Sequence, residues 1–168
     1  MKIREVTLAD IPKWVSLSKE YNKYVLELVP DLTEWYEGGA TSMAFDDYMQ
    51  AKIVQREAFL IEDECENLFS HDKKKLGIIA ISKKNNRITF FGISHNSDFN
   101  KEGRLLVNHA LSLLDVNSDI SINVLKSKAE RIQEEYNFFA AYGFSYSWDD
   151  QENGVPVVVM TRKPSKPD

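Results

Sequence analysis

Three apolar runs between Ala58 and Ser94, "AFLIED", "LGIIAIS" and "RITFFGIS", restrict the fold of this chain more than any other feature. They are rich in β-branched and aromatic residues, and the connections between them, "CENLFSHDKKK" and "KKNN", are polar. Strands joined in this way pair as an antiparallel meander, because a parallel return needs a longer crossover, usually a helix. Such a crossover follows directly. "GRLLVNHALSLL" puts Leu105, Leu106, Ala110, Leu113 and Leu114 on one helical stripe, and "DISINVL" then alternates as a strand. "KAERIQEEYNFFAAYGF" reads as a helix closed by Gly143, and "SYSW" and "VPVVVMT" as two last strands around the loop "DDQENG".

Upstream, Ile3 to Val6 reads as a short strand. Thr7 and Asp10 form a capping-box-like helix start, with Pro12 early enough to be tolerated. Ile11, Trp14, Val15, Tyr21 and Val25 fall near helical spacing. After breaks at Pro30 and Gly38–Gly39, Phe45, Met49 and Ile53 mark a second helix. The order β-α-α-β-β-β-α-β-α-β-β predicts an α/β (α+β) fold with a mixed, mostly antiparallel central sheet and helices on both faces. The sheet should part near the crossover, where ligands in such folds settle.

With 168 residues, 43% of them apolar, the chain is sized for one domain with a real core. We read this domain as residues 1–163, with a short tail at 164–168. The net charge of −5 argues against a nucleic-acid partner. The absence of a long apolar run argues against a membrane span. A lone cysteine, Cys65, fits a reducing, cytoplasmic setting, and its acidic neighbours make it a poor nucleophile. His71, His95 and His109 show no metal-ligand spacing, so no metal is expected.

"SHNSDFNKEGRLLVNHAL" (Ser94–Leu111) joins a polar loop to a helix N-terminus, whose backbone N–H groups and dipole suit an anion. The same loop carries Asp98 and Glu102, which oppose one. Gly92, inside a strand, points to a bulge or a close backbone approach.

The order of elements and the run Ile93–Leu111 resemble the GCN5-related N-acetyltransferases, the GNAT family. Their signature is roughly Val-x-Pro-x-x-(Arg/Gln)-x-x-Gly-x-(Gly/Ala) before a helix with a Leu-Leu pair. Laid without a gap, Ile93 takes the Val position, Asp98 the Arg/Gln position, Lys101 the first glycine and Gly103 the last. "NFFAAYGF" is similar to the family's helix end, and "IREVTLADIPKWVSL" to its first strand and helix. The resemblance implies an N-acetyltransferase moving acetyl from acetyl-CoA to an amine of a small molecule or peptide. It implies cofactor contacts along Gly92, Ile93 and Ser94, at Phe99, Asn100, Lys101, Glu102, Gly103 and Arg104, and at Phe139. Phe139 stands where the family places the tyrosine that protonates the departing thiolate.

Three chemical roles then need residues. Tyr136 or Tyr142, three residues either side of Phe139, are candidates for the missing acid. His95, with Glu62 or Asp63 as the other choices, is the candidate base. Tyr21, Tyr24, Trp35, Tyr36 and Tyr48, interleaved with Glu27, Asp31, Glu34 and Glu37, would form an aromatic, acidic wall suited to an amine. The replacements at Asp98, Lys101 and Phe139 keep a second reading open, a GNAT-fold binding or regulatory module without catalysis. The edge of "VPVVVMT" offers a route to a homodimer.

Overall fold

A computed structural model describes residues 1–32, 43–64 and 74–165. Seven strands form one sheet: β1 (Lys2–Glu5), β2 (Ala58–Glu62), β3 (Lys75–Ser82), β4 (Arg87–Ile93), β5 (Ile120–Leu125), β6 (Phe144–Glu152) and β7 (Val155–Arg162). Among the described residues four α-helices accompany them: α1 (Ile11–Leu28), α2 (Met43–Val54), α3 (Arg104–Leu113) and α4 (Glu130–Ala141). The sheet order is β1-β2-β3-β4-β5-β7-β6, and every neighbouring pair except β4–β5 is antiparallel. The element order and the mostly antiparallel sheet are those the sequence predicts. No helix among the described residues is long and apolar enough to cross a membrane.

The strand pleat divides the core in two. Ile79, Ile81 and Phe91 point to the face covered by α3 and α4, against Leu106, Ala110 and Phe138. Leu60, Ile78 and Ala80 point to the other face, where Trp14 and Leu17 of α1 and Met49 of α2 cover them. Helices therefore flank both faces. Tyr48 belongs to this second cluster: it packs edge-on to Trp14 and shares a 2.7 Å hydrogen bond with Thr89.

Two details differ from the sequence reading. "DDQENG" is no loop, because β6 runs on through Glu152 and the hairpin turns at Asn153 and Gly154. Both turn residues have positive φ, 52° and 81°, the conformation Asn-Gly supplies best. As a result β7 lies between β5 and β6 and has no free edge for a partner. The sheet edges are β1 and β6, and β6 exposes Tyr146 and Trp148.

Candidate active site

β4 and β5 are parallel and meet at a single bridge, Arg87 with Ser121. Beyond it they diverge, and β4's last residues leave one edge unpaired. The opening is a cleft of about 400 Å³. Gly92, Ile93 and His95 form its β4 wall, Leu17, Tyr21 and Tyr24 its α1 wall, and Arg131, Ile132 and Glu135 its α4 wall. α1 reaches this place because of Gly92: a Cβ there would stand 3.3 Å from the Leu17 Cβ and 3.0 Å from the Phe90 ring. The close approach expected at Gly92 is thus present, while the bulge falls nearby at Thr89, which breaks the β3–β4 register.

The sequence candidates separate into groups. Gly92, Ile93, His95 and Phe99 share the cleft, with His95 exposed at its mouth. Ser94 faces β3 instead: its N–H donates to the Leu76 carbonyl at 2.8 Å, and its Oγ accepts from Lys13 Nζ at 2.7 Å. Burial pulls the Lys13 ammonium below its ordinary pKa. Glu62 is buried on β2, two strands from β4, and accepts from Arg4 Nε at 3.1 Å. It does not line the cleft. Tyr136 is half-buried against the core and likewise outside the lining. Tyr142 is tied to α3, its Oη 3.1 Å from the Arg104 carbonyl and 3.0 Å from Asn108 Oδ1. Of the proposed amine wall, Tyr21 and Tyr24 reach the cleft, whereas Tyr48 lies in the second core cluster. Trp35, Tyr36, Glu34 and Glu37 lie outside the described residues, as do Cys65 and His71. His109 packs edge-on to Phe59, and burial lowers its pKa.

The loop–helix junction winds Phe99–Gly103 into a single π turn before α3. Its donors are engaged from within. The Asn100 N–H donates to Asp98 Oδ1 at 2.8 Å, and the Asp98 N–H to Glu102 Oε2 at 2.8 Å. The N–H groups of Lys101, Glu102 and Gly103 all point to the Asp98 carbonyl, at 3.2, 3.0 and 3.4 Å. Two carboxylates of the protein therefore sit where an external anion would bind, a reciprocal cap that neutralises the helix end. Asp98 is exposed and Glu102 buried. Lys101 and Arg104 extend outward beside them.

Gly103 is not a left-handed hinge, since its φ is −62°. It packs closely: a Cβ would lie 3.3 Å from Phe91 Cζ and 3.4 Å from Phe138 Cζ. Those rings join Phe99, Phe139 and Phe144 in an aromatic cluster beneath the turn, in which Phe139 is wholly buried. The Arg131 guanidinium stands 3.9 Å over the Phe99 ring, with its Nη2 buried and unpartnered.

Glu135 is the residue the sequence reading missed. It is 7% exposed, it lines the cleft, and burial pushes its carboxyl up to about 8 against the partial pull of Arg131. A signal existed. Ile132, Glu135 and Phe139 share one helical stripe, so an acid stands among core positions. Among the described residues no His, Cys, Asp and Glu side chains are grouped as a metal ion would need.

No protein-family model matches the sequence, and no curated protein matches it. Solved structures do match. An acetyltransferase of the GNAT family from Bacillus cereus ATCC 10987 aligns over 98% of this chain and 98% of its own, with 12% identity and a TM-score of 0.60. An N-acetyltransferase from Staphylococcus aureus Mu50 covers 96% of this chain and 100% of its own, with 12% identity and a TM-score of 0.62. The protein yncA from Salmonella typhimurium, solved with its cofactor acetyl-CoA, covers 98% and 94%, with 11% identity and a TM-score of 0.61. The chain has the GNAT fold.

Proposed function

We propose that the chain is a cytoplasmic N-acetyltransferase that moves acetyl from acetyl-CoA to an amine of a small molecule or peptide. The observation that carries this reading is the cleft between β4 and β5, open along the unpaired β4 edge at Gly92 and Ile93. The likeness to acetyltransferases over nearly the whole chain supports it.

The site accommodates acetyl-CoA unevenly. The cleft has the volume and the free strand edge for an acyl thioester, with Gly92, Ile93 and Phe99 to hold it. The turn at Phe99–Arg104 would hold the phosphates, helped by Lys101 and Arg104, once the exposed Asp98 carboxylate turns into solvent. The bound cofactor supplies an activated acyl group. A backbone N–H of the β4 edge near Gly92–Ser94 would polarise the thioester carbonyl. His95 at the mouth can take the proton of an arriving amine, and Tyr21, Tyr24 and Glu20 give that amine an aromatic and acidic approach.

The self-capped turn is the observation that favours the second reading, a GNAT-fold binding or regulatory module. Asp98→Ser tests what the turn does, because serine keeps a capping oxygen and removes the charge. A carboxylate and a phosphate about 4 Å apart in water repel by ~1 kcal/mol, so acetyl-CoA should bind this variant about fivefold more tightly in calorimetry. Unchanged affinity would place the phosphates elsewhere. For the activity itself, wild-type chain should release thiol from acetyl-CoA in the presence of a panel of primary amines. Cofactor binding without thiol release for any amine would select the module.

A further inference from the structure

The acetyl-transfer reading lacks a proton source at Phe139, and α4 offers another acid one turn earlier. Glu135 points into the same cleft as Gly92 and Ile93. It is more than nine-tenths buried, and the charge that acts on its carboxyl is Arg131 of the same helix. Burying a carboxyl at the wall of an open cleft is costly, and a reaction that uses its proton gives the position a purpose.

Resting on the acetyltransferase reading above, we propose that Glu135 is the general acid of this site and protonates the departing sulfur. Glu135 gives its proton to the sulfur as the C–S bond breaks and the new C–N bond forms, the bonding pair leaving with the sulfur. The carboxylate then recovers the proton that the amine nitrogen sheds on becoming an amide. The proton count closes without any further reagent.

The surroundings suit both states of the carboxyl. Its desolvation keeps the proton in place at neutral pH, and an acidity near 8 is close to that of a thiol, about 8.5. Arg131, one turn back on the same helix, supplies positive charge when the carboxylate forms. Among the described residues the other titratable groups facing the cleft are Glu20, Tyr21, Lys23 and Tyr24 on α1 and His95 after β4. Tyr136 and Tyr142 stand outside this lining, and Phe139 has no proton to give.

Glu135→Gln is the informative variant, since glutamine copies the shape of the neutral acid but cannot donate a proton of that acidity. Its kcat should fall about 10²-fold or more, with KM for acetyl-CoA changed by less than about threefold. The alkaline fall of the wild-type kcat profile, with its midpoint near 8, should disappear. Independently of turnover, carbon-13 NMR of cofactor-free wild-type chain should show the Glu135 carboxyl titrating well above the usual glutamate range. A variant as active as wild type, or a carboxyl titrating near 4.5, overturns the assignment while leaving the acetyltransferase reading intact. A wild-type chain that releases no thiol with any amine overturns both.

Discussion

Replacing Asp10 by asparagine is expected to destabilise the chain by about 3 kcal/mol at pH 7, the lower end of the range for breaking a buried ion pair. Asp10 is 1% exposed and holds three elements together. Arg4 of β1 donates through Nη1 at 2.7 Å and Nη2 at 2.9 Å, Lys75 of β3 through Nζ at 2.7 Å, and the Thr7 N–H at 2.8 Å. Burial alone would raise the Asp10 pKa, but the hydrogen bonds from Arg4 and Lys75 outweigh it and hold the carboxyl well below the usual range. The side chains of Arg4 and Lys75 keep 28% and 31% exposure, so water softens the loss of their partner and places the effect at the low end. A depressed pKa contributes stability that is present above the unfolded value near 3.9 and is lost as pH falls through the folded value. Chemical denaturation should therefore show the difference between wild type and variant shrinking below pH 3.9. A cost under ~1 kcal/mol at pH 7 would mean that the network contributes little. The consequence for function follows from position, because Asp10 fixes the start of α1, whose next turns carry Leu17, Tyr21 and Tyr24 into the cleft.

The second large effect comes from Glu135 and has the opposite sign. Its folded-state pKa is raised from 4.5 to about 8, so the folded chain holds a proton that the unfolded chain has already released. Stability must then decline as pH rises from 4.5 towards 8, and level off above. At 1.36 kcal/mol for each unit, the decline from this one group amounts to about 5 kcal/mol. Glu135→Gln removes it: the variant should match wild type near pH 5 and exceed it by several kcal/mol near pH 9 in urea denaturation. Parallel pH profiles for the two proteins would show that the carboxyl is solvated in the folded chain.

Much of the architecture was legible because it rests on local rules. Alternation marked the strands, the Leu105–Leu106–Ala110 stripe marked α3, and Gly143, at φ 86°, ends α4 as its type suggests. The parting of β4 from β5 followed from a strand–helix–strand crossover after a meander. The hairpin between β6 and β7 was also within reach. Asn153-Gly154 is a strong turn signal, masked by the acidic residues of β6, which sit on an exposed edge strand where charge is tolerated. The site was less legible because its decisive interactions are long-range or depend on direction. Nothing near Glu62 in sequence announces that Arg4, fifty-eight residues away, engages its carboxylate. The loop of Asp98 and Glu102 reads as hostile to anions, yet its carboxylates cap the turn from inside, a direction that residue types alone do not specify. Gly103 reads as a cofactor glycine, and the structure adds a second reason for it, the Phe91 and Phe138 rings packed close beneath.

The proposed acetyltransferase binds its acyl thioester in the cleft where β4 and β5 part. That placement is tested most directly by following assigned backbone amide resonances while acetyl-CoA is added to the full chain. Saturable shifts at Gly92–His95, at Phe99–Arg104 and along Arg131–Glu135 are the predicted result. No saturable shift at millimolar acetyl-CoA, or shifts confined to the β1 or β6 edge of the sheet, would contradict it.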